Sequence, residues 1–122
     1  MDQIEFIEKL KKYGIEQNFN LYKESLQSPT DPEDKNSEGG KLKELFKSLS
    51  AEQQAYFLKS LGMVIEDSVA IILALLDGSS NIGQVGGKFQ LYYDKDGERY
   101  HINNKEGDDL MTLLYDEADE DE

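Results

Sequence analysis

Apolar positions recur at helical intervals through the first part of the chain. Ile4, Phe6, Ile7, Leu10 and Tyr13 follow Asp2 and Glu5, which have the spacing of a helix N-terminal capping box. Gly14 marks a break or a kink, after which Ile15, Phe19, Tyr22 and Leu26 lay an apolar stripe down a second helix. From Ser28 to Lys41 the sequence SPTDPEDKNSEGGK holds both prolines and no apolar residue, so a mobile loop is expected there. Leu42, Leu45, Phe46 and Leu49 restore the helical period. Ser50-Ala51-Glu52-Gln53 is a second capping box and predicts a new helix from Ala51.

That helix carries Ala55, Leu58, Leu61 and Ile65 and runs on through Gly62 into Val69–Leu76, an unbroken apolar octet. A segment apolar all round is expected to be buried on every side, so an unpaired charge at Ile72 should abolish folding. Glu66-Asp67, just ahead of it, reads as an N-terminal cap for the segment starting at Ser68. Asp77-Gly78 supplies the glycine on which a helix ends in a left-handed residue.

The period then changes to strict alternation. Phe89, Leu91 and Tyr93 share one side of a strand from Lys88 to Tyr93, and Tyr100 and Ile102 share one side of the next. A two-residue Asp96-Gly97 turn pairs Tyr93 with Tyr100 and Leu91 with Ile102, keeping the five apolar side chains together, so this register is expected over one with a three-residue turn. A third short strand around Ile82 to Val85 is possible on the pattern. Gly107-Asp108-Asp109 reads as the entrance to a short helix carrying Leu110, Met111, Leu113 and Leu114. The resulting expectation is an α+β fold: a helical bundle around a buried central helix, then a small antiparallel hairpin or meander, then a short C-terminal helix. Residues 1–115 form one domain in this reading, and 116–122 a disordered acidic tail.

Charge narrows the function more than any motif does. The 122 residues carry 26 Asp and Glu against 13 Lys and Arg, a formal net charge of −13. The excess is lopsided, −4 over residues 1–76 and −9 over 77–122, and the sequence closes with DEADEDE. Such a chain repels nucleic acid and anionic membranes and attracts basic protein surfaces. The absence of Cys removes disulfides, thiolate nucleophiles and Cys-ligated metals. Asp2 and Glu5 stand where a secretory signal would be basic, and Val69–Leu76 is far short of the ~20 residues that span a bilayer, so a cytoplasmic location is expected.

His101 is the sole histidine and has no Gly-x-Ser-x-Gly partner motif, so it reads as an exposed strand residue opposite Tyr92 rather than a catalytic base. Aligning Gly97 with the glycine of an EF-hand loop puts Tyr92 at the first ligand position and Asn103 where the bidentate Glu belongs, so Asp94–Gly97 reads as a turn. Gly83–Gly87 lacks the Lys-Ser/Thr ending of a phosphate loop. No cofactor or metal is implied. The mixture of Tyr92, Arg99 and His101 on the outward hairpin face is of the kind found at interfaces, and Asp116, Glu117, Asp119 and Glu120 of the tail complete the expected partner-binding set.

In size and charge the chain resembles the small acidic bacterial immunity proteins and inhibitors that neutralise basic toxins. The resemblance implies a non-enzymatic binding module with a basic protein partner. The alternatives are a nucleic-acid mimic seated in the groove of an enzyme, a charge that serves solubility alone, and, last, an enzyme of unidentified type. Nothing in the sequence sets the oligomeric state.

Overall fold

The computed structural model describes residues 1–79, 86–104 and 106–116. Helix α1 (Gln3–Lys9) is capped by the Asp2 carboxylate, which accepts the Glu5 amide at 2.8 Å. It continues without interruption through a π-helical stretch, Leu10–Glu16, into α2 (Gln17–Gln27). Gly14 therefore neither breaks nor ends the helix. It lies in the widened turn, where a Cβ would stand 3.0 Å from Leu10 Cδ1. A π turn adds a residue to one turn and so re-aims the apolar stripe beyond it.

The expected loop at 28–41 is shorter than its composition suggests. A 3₁₀ turn at Pro32–Asp34 leads to Ser37, whose hydroxyl accepts the Gly40 amide at 3.0 Å and starts α3 (Glu38–Ser48). The adjacent glycines are thus helical. Gly40 passes so close to Asp34 that a Cβ would collide with its carbonyl oxygen.

Helix α4 (Ala51–Asp77) has 27 residues and opens on the Ser50/Gln53 capping box, with both reciprocal bonds made, at 3.1 and 2.9 Å. Gly62 faces Phe19, whose ring lies 3.7 Å from where a Cβ would be, an ordinary van der Waals distance. The helix ends at Gly78 in the left-handed region (φ 79°), as expected.

Two expectations about α4 fail. Glu66 and Asp67 are mid-helix and cap nothing. Val69–Leu76 is covered on one flank only: Ala70, Leu73 and Ala74 are buried, whereas Ile71 and Ile72 are 61% and 57% exposed. An all-apolar run can be buried on every side, but only as many neighbours as the chain supplies can cover it, and here they come from one direction.

Those neighbours are α5 (Leu110–Tyr115), Ile7 of α1 and Ile102, the residue that follows the hairpin of β1 (Tyr92–Lys95) and β2 (Glu98–His101). The strands pair antiparallel with Tyr93 opposite Tyr100, the expected register, and the Ile102 amide donates to the Leu91 carbonyl at 2.8 Å. The ladder is shorter than expected: residues 88–91 lie outside β1, and Phe89 is half exposed. The strand proposed at Ile82 to Val85 lies outside the described residues. Ile7, Ala70, Leu73, Ile102, Leu110 and Leu114 form the main core, with Leu91, Tyr93 and Tyr100 packed against it. A two-stranded sheet is marginal alone and here rests on helices, which makes the fold α+β. At the other end, Leu26 and Phe46 are buried, and Phe46 meets Phe57 edge-on at 5.6 Å.

Candidate functional site

The hairpin turn fixes what its outward face presents. Asp96 and Gly97 both take positive φ, 53° and 80°, the type I′ geometry whose twist matches that of the strands it joins. With that register, Tyr92 lies across from His101 and Asp94 across from Arg99, all four on the side facing away from the core. The Arg99 guanidinium grips Asp94 through both oxygens, at 2.8 and 3.2 Å, and lies 4.8 Å from the centre of the Tyr92 ring. Tyr92 in turn stacks on the His101 imidazole, centroids 4.7 Å apart and planes 29° from parallel. The result is a continuous array of carboxylate, guanidinium, phenol and imidazole. It brings together the three hairpin residues expected from sequence and adds Asp94.

The electrostatics follow from the grip. The Arg99 hydrogen bond holds the Asp94 carboxyl below its usual value of 3.8, and the same bond keeps Arg99 charged. On the inner side the Tyr100 hydroxyl donates to Glu98 at 2.6 Å, and that bond and the Glu98 charge push the phenol up.

His101 corrects the expectation of an exposed residue. It is half-buried, and its Nε2 is enclosed without a hydrogen-bond partner among the described residues. It also lines an open hollow of about 430 Å³ with Asp2, Gln3, Tyr100 and Asn104.

Three polar residues that sequence reasoning missed tie the base of the hairpin and the start of α5 to α4 and α1. Asn103, 9% exposed, donates to the carbonyls of Leu76 and Phe89, both at 2.7 Å, while its oxygen accepts the Leu91 amide at 2.9 Å. One carboxamide thus fastens both arms of the hairpin to the end of α4. Gln3 Nε2 donates to the carbonyls of Ile102 at 2.7 Å and Asp108 at 3.1 Å, tying α1 to the same base. The Asp77 carboxylate accepts the amides of Leu110 and Met111 at 2.9 and 3.0 Å, capping α5 in place of the adjacent Asp109, whose side chain makes no cap bond.

Of the expected tail residues, Asp116 is described. Asp116 is exposed at the end of α5, next to Tyr115, whose hydroxyl is pushed up by partial burial and by the charges of Asp67 and Glu66 on α4. Glu117, Asp119 and Glu120 lie outside the described residues. Among the described residues no three acidic or histidine side chains converge as a metal site, and no helix is long and apolar enough to cross a membrane. Comparison with protein-family models, curated proteins and solved structures finds no match.

Proposed function

We propose that the chain is a non-enzymatic protein-binding module, of the inhibitor or immunity type, that docks a basic protein partner with the outward face of the β1–β2 hairpin. The observation that carries this reading is the Asp94–Arg99–Tyr92–His101 array. Tyr92 is 45% exposed, and its orientation is already set by stacking on one side and the guanidinium on the other. An aromatic fixed before encounter loses little side-chain freedom on binding, and Tyr and Arg are the residues that dominate interface energetics. The net charge of −13, concentrated in the C-terminal part, steers basic surfaces toward that face. A nucleic-acid mimic would need spaced, uncompensated carboxylates, whereas Asp94 is neutralised by Arg99.

Binding kinetics on a captured basic partner test the reading. Tyr92→Ala and Arg99→Ala should raise the dissociation rate tenfold or more, about 1.4 kcal/mol each, because packing acts after encounter. Deleting residues 116–122 should instead slow association and flatten its salt dependence. If all three variants bind with unchanged kinetics, the hairpin is not the docking face.

A further inference from the structure

The exposed face of α4 has a symmetry that its role in the monomer does not require. Its solvent-facing positions include successive pairs four residues apart: Ala55/Tyr56, Lys59/Ser60, Met63/Val64, Asp67/Ser68 and Ile71/Ile72. Read from either end, the pairs run apolar, polar, apolar, polar, apolar, with the centre between Met63 and Val64. Tyr56, Met63, Val64 and Ile71 are each between 57% and 63% exposed. At about 100° per residue, Tyr56, Ser60, Met63, Val64, Asp67 and Ile71 fall within one arc of about 100°, the width of a helix-packing face.

We infer that this face pairs with the same face of a second copy of the chain, antiparallel, about a two-fold axis passing between Met63 and Val64. A two-fold interface is self-complementary, so if residue i meets j, then j meets i. Here i meets 127 − i: Tyr56 lies against Ile71, Ser60 against Asp67 and Met63 against Val64. Charge selects the direction. Antiparallel pairing puts Lys59 beside Asp67 and Glu66 of the other copy, whereas a parallel, in-register pair would set Lys59 on Lys59 and Asp67 on Asp67. Tyr115 borders the strip at Asp67 and extends its apolar edge. The strip is about 26 Å long and one helix wide, so the contact belongs to the smaller class of interfaces and forms at high protein concentration.

The test exploits a chain without cysteine. In sedimentation from about 10 μM to about 1 mM, in salt high enough to screen the net charge, the mass should rise from 13.9 kDa toward twice that value. Val64→Lys should hold it at the monomer mass while helix content by circular dichroism is unchanged. Under mild oxidation Val64→Cys should cross-link to itself. Tyr56→Cys alone should not, because its counterpart would be about 22 Å away, but an equal mixture of Tyr56→Cys and Ile71→Cys should. A mass that stays at the monomer value, a Val64→Lys variant that still dimerises, or self-linking of Tyr56→Cys as fast as that of Val64→Cys would each overturn the antiparallel pairing.

Discussion

From Val69 onward α4 is overlaid by α5 and by the Ile102 segment at the base of the hairpin, with Ile7 of α1 in the same core; from Ala51 to about Ile65 it meets α2 and α3 on one side and water on the other. The first region closes a core in which Leu110, Leu114, Leu73 and Ile102 are each 2% exposed or less. The second leaves Leu21, Tyr22, Leu42, Leu45, Tyr56, Met63 and Val64 at least 40% exposed. The difference lies in polar anchoring as much as in apolar content. The closed region is tied across the chain by Gln3, Asp77 and Asn103, which satisfy backbone groups that burial would otherwise strand. In the other region the one described side-chain bond to another element's backbone in the α2–α3–α4 layer is from Gln54 to the Phe46 carbonyl. Where those bonds are made the core closes around Leu73, Ile102, Leu110 and Leu114, whereas in the α2–α3–α4 layer Leu26 and Phe46 are the large apolar side chains buried among the described residues.

Adjacent positions on α4 give the sharpest way to break this contrast. Leu73→Asp should abolish cooperative unfolding, since it strands a charge in the core at a cost of several kcal/mol. Ile72→Asp should shift stability by only ~0.5 kcal/mol in dilute solution. Equal destabilisation of the two in denaturant titrations would mean that the outer face of α4 is as covered as the inner one. Asn103→Ala should come next, at about 2–4 kcal/mol, because it leaves two carbonyls and an amide without partners. Thermal unfolding measures it, and a loss comparable to that of an exposed asparagine would show that water takes over its bonds. Asp77→Ala removes only the remote cap of α5 and should cost ~1 kcal/mol, with faster amide exchange confined to Leu110 and Met111. The smallest effect is electrostatic. With its carboxyl held below 3.8, Asp94 keeps its grip on Arg99 down to that pH and releases it only as pH falls through the lowered value. In an NMR titration, Arg99→Ala should move the Asp94 midpoint back up toward 3.8, and an unmoved midpoint would remove Arg99 as the cause.

What could be read from sequence, and what could not, divides along the same physical line. The hairpin register was legible because alternation and an Asp-Gly turn leave one pairing that keeps the apolar side chains together. The Ser50 capping box and the Gly78 stop were legible because their partners are neighbours in sequence. The coverage of Val69–Leu76 was not, because periodicity defines a face without counting what packs on it. Asn103 and Gln3 were invisible for a related reason: their partners lie 27 and 99 residues away in the chain, and no local pattern marks them. Of the candidate site, Tyr92, Arg99 and His101 were found by strand alternation, while the Asp94 grip that orders them needed the structure.

The Gln3 clasp also bears on how the chain folds as it is made. The third residue is held by the carbonyls of Ile102 and Asp108, and the core residues Leu110 and Leu114 follow those in synthesis. The inner apolar flank of α4 is therefore not fully covered until Ile102, Leu110 and Leu114, which follow it in the chain, have been made. Until then that flank is a ready surface for chaperones or for premature self-association, which the base of the hairpin and α5 close.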